Sequence, residues 1–371
     1  MMLHHRNRNL LKFTLLIISS TLGFLICEIY TRATRHHVDL HVHTGRVIGP
    51  NPMRDWAFLD AFSGYRVKPK YSPREKSVNS FGFVSTPEIA LRKPDNTTRI
   101  AFLGGSSTAG TKYLSDAETW PWKTTGLLER QTGKRLEFLN AGLGGYTSFE
   151  SFGRLWSRIR YFSPDILVVY HGWNELYYFG EVDDIVSWRS LPDGSWSFDR
   201  TSAPVQRVAP LGIDPFIGWS QFLTRIRLRL SKSATDETGW RLLSELETSF
   251  DHRGLEIWRS NLQLFKAVAE AIGARLVVVK QATLIVEDLP ESERARCRYD
   301  LHGFDHDAHV AAFKGLYRVI DEVFEGDSII DARVLSGQPD LFRDHIHLTP
   351  RGASELSSLV AGHLAPLLEG G

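Results

Sequence analysis

Apolar and polar positions along the chain fall into three regimes. From Leu10 to Tyr30 the residues are nearly all apolar, and Lys12 and Glu28 are the only charged ones. About 20 residues at 1.5 Å each match a hydrocarbon core of about 30 Å, so this run is expected to span a membrane as a helix. Residues 31–95 mix Arg, His, Pro and Lys without periodicity and read as a stalk and an irregular lead-in. From residue 96 onward, short apolar runs alternate with segments of helical spacing.

The alternation predicts strands over 100–103, 136–140, 166–170, 275–280 and 328–334. Helices are predicted over 119–131, 147–160, 255–272, 306–324 and 353–368. Strands that alternate with helices imply a parallel sheet covered on both faces, an α/β fold. Ligands of such sheets bind beyond the carboxyl ends of the strands, where Gly104, Gly142 and Gly172 fall. Between residues 176 and 252 the alternation lapses. This insertion carries Tyr177, Tyr178, Phe179, Trp188, Trp196, Phe216, Trp219 and Phe222, which either form its own core or line an acyl or sugar site. Arg225, Arg227 and Arg229 alternate as on a strand and read as a solvated face, with contact to lipid head groups as the alternative.

Composition narrows the function classes. The formal net charge of the 371 residues is +1. No basic stripe interleaves with aromatics, which argues against a nucleic-acid partner, and no Cys/His spacing of a zinc site occurs. The two cysteines, Cys27 and Cys297, are not expected to pair, and Cys297 reads as an incidental surface residue. Arg6, Arg8 and Lys12 precede the apolar run, which favours a cytoplasmic N-terminus over residues 1–9. Ala33 lacks a convincing small-x-small context, and Leu25 and Ile26 spoil a lipoprotein site at Cys27. The segment over 10–30 is therefore read as an uncleaved signal anchor. The rest of the chain is expected outside the cytoplasm, in the periplasm or at the cell surface.

Candidate chemistry gathers at the strand ends. The strand before Gly104 and Gly105 delivers Ser106 and Ser107 at a sharp turn. A helix beginning there would aim backbone N–H groups at an oxyanion. Ser106 is the candidate nucleophile and Ser107 the alternative. Asn140–Tyr146 holds three glycines in a loop that can approach a ligand closely. Asn174 can donate an amide hydrogen without changing charge. Asp344 and His347, three residues apart, fit one cleft, with His347 as general base and Asp344 fixing its tautomer. His345 reads as a solvated loop histidine.

With these blocks in order, the chain resembles the SGNH, or GDSL-type, hydrolase superfamily over roughly residues 97–368. Phe102–Thr108 resembles the serine block. Asn140–Gly145 resembles the glycine block, with Gly145 at the oxyanion glycine. Gly172–Glu175 resembles the asparagine block, and Asp344–His347 the aspartate-x-x-histidine block. Asn79–Phe83 resembles a lead-in of membrane-anchored bacterial members. Gly105 and Glu175 depart from the pattern, each standing where an aspartate is usual. The resemblance implies a three-layer α/β/α fold with a flavodoxin-like parallel sheet over residues 96–371. It implies ester hydrolysis through an acyl-enzyme, with an oxyanion hole of Ser106, Gly145 and Asn174, and no metal or cofactor. The expected substrate is an O-acyl ester, foremost O-acetyl on a cell-envelope glycan. Acyl transfer to a sugar hydroxyl, a lipid or thioester substrate, and a catalytically silent glycan-binding role are the alternatives.

Overall fold

A computed structural model describes residues 2–34, 39–41, 46–48, 57–70, 76–110, 114–179, 189–190, 196–197, 206–207, 211–231 and 246–369. The chain divides into two compact units, Met1–Asp55 with Ala203–Trp240, and Trp56–Ser202 with Arg241–Gly371.

The second unit is built on one parallel sheet. Its strands are β1 (Thr97–Gly104), β2 (Arg135–Asn140), β3 (Ile166–Tyr170), β4 (Arg275–Lys280) and β5 (Ile329–Asp331). They lie in the order β2-β1-β3-β4-β5, every neighbour parallel. All five residues of β3 are buried, as a central strand covered on both faces requires. Phe102 pairs with Asn140 on one side and Val168 on the other, and Val168 in turn pairs with Val277.

The helices that frame the sheet and the site are α1 (Ser106–Ala109), α2 (Trp120–Thr132), α3 (Ser148–Ser157), α4 (Arg253–Ile272), α5 (His306–Val323) and α6 (Pro350–Glu369). Leu255, Trp258, Leu262, Phe265 and Ala269 of α4 are buried at three- and four-residue spacing, the apolar stripe of a helix laid on a core. Helix α6 packs on α2, whereas α3 and α5 pack on α4. Crossovers of the usual right hand, running one way from β1 to β2 and the other way from β3 to β5, put these two helix groups on opposite faces. The three-layer α/β/α architecture is the one the sequence predicts.

Local chemistry trims two expected elements. The strand expected over 328–334 ends at Asp331, whose carboxylate accepts the Arg333 amide at 3.1 Å and caps a 3₁₀ turn. The helix expected over 147–160 stops at Ser157, and Ile159–Phe162 continues as a 3₁₀ turn.

Much of the lead-in packs into this unit. Ala57–Asp60 and Gly64–Val67 form an antiparallel hairpin. Asn79 Oδ1 accepts the amides of Phe81 and Phe83, each at 3.0 Å, and Phe83 is fully buried in the core. Gly82 lies at φ +82°, and a Cβ there would meet the Val67 carbonyl at 2.6 Å, so the turn admits only glycine. The buried Arg154 donates to the Gly82 carbonyl at 3.0 Å and to the Ala141 carbonyl at 3.1 Å, tying the lead-in to the loop after β2.

In the first unit a helix covers Met2–Thr34, and Lys12–Thr34 is long and apolar enough to cross a membrane. Strands Asp39–His41, Arg46–Ile48 and Gln206–Arg207 form a small antiparallel sheet. Asp214–Ile217 and Gln221–Ser231 are helical. The alternating arginines therefore sit on a helix and not on a strand. Arg227 is buried against Asp214 at 2.9 Å, so the solvated face expected there does not include it.

Candidate active site

In a sheet of this order the chain leaves β1 toward one edge and β3 toward the other, and a crevice opens between their carboxyl ends. Ser106 follows β1, Asn174 follows β3, and Gln281 follows β4. A cleft of about 220 Å³, open to solvent, is lined here by Ser106, His171, Trp173, Asn174, Gln281 and Ile346 among others.

The serine turn needs its glycines. A Cβ on Gly104 would lie 2.1 Å from Thr108 Oγ1 and 2.7 Å from the Tyr170 carbonyl. A Cβ on Gly105 would lie 2.7 Å from Asn174 Nδ2. A side chain at position 105 would therefore require the Asn174 amide to move. Ser106 is the first residue of α1, so its N–H is among those that no intrahelical carbonyl accepts.

The two serines face different partners. Ser106 Oγ is 2.8 Å from His347 Nε2. Ser107 is buried, and its hydroxyl donates to the Ile346 carbonyl at 3.2 Å. The second serine thus ties α1 to the histidine loop, while the first meets the imidazole. His347 Nδ1 is in turn 2.8 Å from Asp344 Oδ2 and 3.0 Å from Oδ1. Asp344 Oδ1 also accepts the Ile346 and His347 amides, at 3.0 and 2.9 Å. Burial pushes the Asp344 carboxyl up, but the hydrogen bonds and charge of His347 outweigh it. The carboxyl lies well below the usual carboxylate range. An ionised Asp344 on Nδ1 fixes the tautomer that leaves Nε2 able to accept the Ser106 proton.

The loop holding this pair is clamped at its base. Leu284 N and Thr283 Oγ1 both donate to the His345 carbonyl, at 3.0 and 2.9 Å. Arg343 N donates to the His347 carbonyl at 2.7 Å.

Asn174 and the glycine loop meet across one contact. Asn174 Nδ2 donates one hydrogen to the Tyr146 carbonyl at 2.8 Å. A carboxamide nitrogen carries two hydrogens, and the second is the one an oxyanion would take. Gly145, at φ +77°, immediately precedes Tyr146. Tyr146 packs edge-on against Tyr65 of the lead-in hairpin at 5.2 Å, and the Tyr65 hydroxyl donates to the Gly144 carbonyl. Glu175 is fully buried and accepts the Ser148 amide at 2.7 Å and the Ser148 hydroxyl at 2.6 Å. It binds the asparagine block to the first turn of α3, which follows the glycine loop. A glutamate in the aspartate's place therefore has a structural partner of its own.

Two sequence expectations are corrected, and the open reading of the insertion's aromatics divides. His345 is not solvated: it is 4% exposed, and its ring lies 3.9 Å from the Trp173 ring. Burial pushes its imidazole down to about 3, against the opposing charge of Asp344. Its backbone is drawn inward by Thr283 and Leu284, which turns the side chain onto Trp173. Cys297 is buried rather than at the surface, and burial pushes its thiol up to about 11. The insertion's aromatics divide by surroundings: Tyr178 and Phe179 are buried, Tyr177 remains partly exposed beside His302, and Phe216 and Trp219 are exposed in the first unit. Trp188 and the Trp196 side chain lie outside the described residues.

Sequence reasoning passed over Gln281 and Trp173. Gln281 Oε1 accepts the Trp173 amide at 2.7 Å and shapes the cleft floor. Its place directly after β4 was the available signal. Among the described residues, no three His, Cys, Asp or Glu side chains converge as metal ligands.

No family model matches this sequence, and no curated protein is similar to it. Similar solved structures include an acetyl xylan esterase, AlAXEase, at 13% identity and a TM-score of 0.39, over 71% of this chain and 98% of that one. Another is the acetylxylan esterase Axe2 from Geobacillus stearothermophilus, at 11% identity and a TM-score of 0.41, over 72% and 94%. A lipase/acylhydrolase from Enterococcus faecalis aligns at 14% identity and a TM-score of 0.38, over 72% and 96%. Likenesses this distant carry no argument about the activity of this chain.

Proposed function

We propose that this chain is a membrane-anchored serine esterase of the SGNH type. The observation that carries the reading is the continuous contact Ser106–His347–Asp344, with both bonds at 2.8 Å. In this reading Ser106 Oγ attacks the ester carbonyl as His347 Nε2 takes its proton. The Ser106 amide, the Gly145 amide and Asn174 Nδ2 stabilise the resulting oxyanion. His347 then returns the proton to the leaving alkoxide, and an acyl group stays on Ser106. A water activated by His347 attacks that acyl-enzyme, releases the acid and regenerates the serine. Asp344 holds the imidazole in one tautomer throughout and stabilises the imidazolium.

The substrate reading is a short O-acyl ester, foremost O-acetyl, on a glycan outside the cytoplasm. The extracytoplasmic placement rests on Arg6, Arg8 and Lys12 ahead of the apolar helix. Retention of that helix draws support from Glu28, whose carboxylate accepts the Gln221 and Phe222 amides at 3.0 and 2.9 Å. A leader cut away after insertion would leave those donors without their acceptor.

A series of 4-nitrophenyl esters of increasing acyl length, given to the full chain in detergent, tests this reading. Turnover should be greatest with acetate, fall as the chain lengthens, and vanish in Ser106→Ala. A best rate with long acyl chains would replace the glycan ester by a lipid. Activity that survives Ser106→Ala would overturn the mechanism. Acetylated oligosaccharide formed when a sugar acceptor is added would turn hydrolysis into transfer.

A further inference from the structure

The Met2–Thr34 helix is covered along one stripe only. Over Lys12–Thr34, Glu28 and Thr31 are buried and Phe24 and Cys27 half-buried, while the remaining side chains are exposed. Positions 24, 27, 28 and 31 are spaced to share one helix face. The covering comes from residues 219–222. Phe24 meets Trp219 and Phe222 edge-on at 6.0 and 6.1 Å. Glu28 accepts the Ser220 hydroxyl at 2.8 Å and the first two amides of the Gln221–Ser231 helix. Arg32, one turn on, pairs with Glu28 at 2.6 Å and donates to the Trp219 carbonyl at 2.8 Å.

This arrangement answers a problem set by the sequence. A carboxylate inside an apolar span is costly unless it is paired and hydrogen-bonded. Here an 11-residue helix supplies its N-terminal amides and its positive dipole end. Glu28 and Arg32 are four residues, or about 6 Å, apart along the axis. Phe24 lies one further turn toward the middle of the span, so Trp219 and Phe222 reach to a depth below Glu28.

The segment that makes these contacts exposes apolar side chains that water does not suit. Phe216 is 74% exposed, Leu230 71% and Trp219 62%, and Leu211, Ile213 and Ile226 are exposed as well. The exposed Arg229 accompanies them on the same helix. Bulky apolar residues, an interfacial Trp and a cation on a short amphipathic helix are the composition of an element lying at a bilayer surface.

We infer that residues 211–231 lie in the membrane–water interface beside the end of the Lys12–Thr34 span, held there by Glu28. The bilayer is chosen as occupant because the apolar surface is continuous with the exposed apolar sides of the span itself. The inference rests on the anchor reading proposed above. It adds that the protein meets the bilayer through two segments some 190 residues apart in the chain, as the Glu28–Gln221 contact shows.

The test uses the full chain in phospholipid vesicles. Phe216→Cys and, separately, Leu22→Cys are made in a Cys27→Ser background and labelled with an environment-sensitive fluorophore. The Cys27→Ser parent gives the background from Cys297. Nitroxides are carried on lipids either near the headgroup or near the bilayer centre. The label at 216 should emit as in an apolar medium and lose more emission to the headgroup-level nitroxide than to the central one. The label at 22 should show the opposite order. A label at 22 that responds while the one at 216 emits as in water overturns this inference and leaves the anchor standing. Apolar emission at 216 without lipid quenching also overturns it, and assigns the face to a second copy or to another part of this chain. No quenching at 22 defeats the anchor reading, and this inference with it.

Discussion

Asp344 and Glu28 are carboxylates with similar dress and different work. Each accepts two backbone amides and one side-chain partner able to carry positive charge: His347 for Asp344, Arg32 for Glu28. Asp344 draws its partners from the next three residues. Its environment is a rigid loop, and its effect falls on one imidazole nitrogen. Glu28 draws its amides from residues nearly 200 positions away, and its effect is to join two helices. The same chemical group thus orients a proton acceptor when its partners are local, and assembles a unit when they are remote.

That contrast can be broken by substitution. Asp344→Asn keeps the shape but reverses the hydrogen bond to Nδ1, and should lower kcat about 10⁴-fold. His347→Ala should do at least as much, since it removes the group that takes the Ser106 proton. Asn174→Ala should cost about 10²–10³ in kcat with little change in KM. Glu28→Gln should leave kcat on a soluble acetate ester within a few-fold of the parent. An Asp344→Asn enzyme with normal kcat, or a Glu28→Gln enzyme as dead as it, would erase the distinction.

A smaller effect comes from two buried histidines, His345 in the same loop and His309 on α5. Burial holds His345 down to about 3 and His309 to about 4, each against a neighbouring aspartate that pulls the other way. An unfolded histidine takes up a proton below about 6.5, while these two stay neutral in the fold. The unfolded state therefore binds protons that the native state refuses, and stability falls as pH drops from about 6.5 toward 4. Thermal melts should show Tm several degrees lower at about pH 5 than at about pH 7, a loss of roughly 2–4 kcal/mol. His345→Asn should flatten part of that dependence while leaving kcat within a few-fold of the parent. A Tm independent of pH across this window would mean that His345 and His309 are solvated.

The legible parts of the chain share a cause. β1, β2, β3 and β4 could be read because short apolar runs bounded by turns require no knowledge of distant partners. Ser106 and Asn174 could be read because they follow β1 and β3 into one crevice, and Asp344–His347 because of their three-residue spacing. What could not be read depends on contacts across the chain. His345 looks solvated until Trp173 is laid against it. The Asn174 amide beside Gly105 becomes visible only once β1 and β3 are laid side by side. The run Thr224–Ser231 alternates like a strand, but its helix turns Arg227 toward Asp214 and leaves Arg229 outside. Glu28 alone suggests only an interruption of an apolar run.

Labelling with a fluorophosphonate that reacts with activated serines tests the central claim most directly. After the full chain is treated, peptide mapping by mass spectrometry should find the adduct on Ser106. It should be retained in Ser107→Ala, and absent from Ser106→Ala and His347→Ala. An adduct on Ser107, or labelling of Ser106 undiminished without His347, would contradict the account.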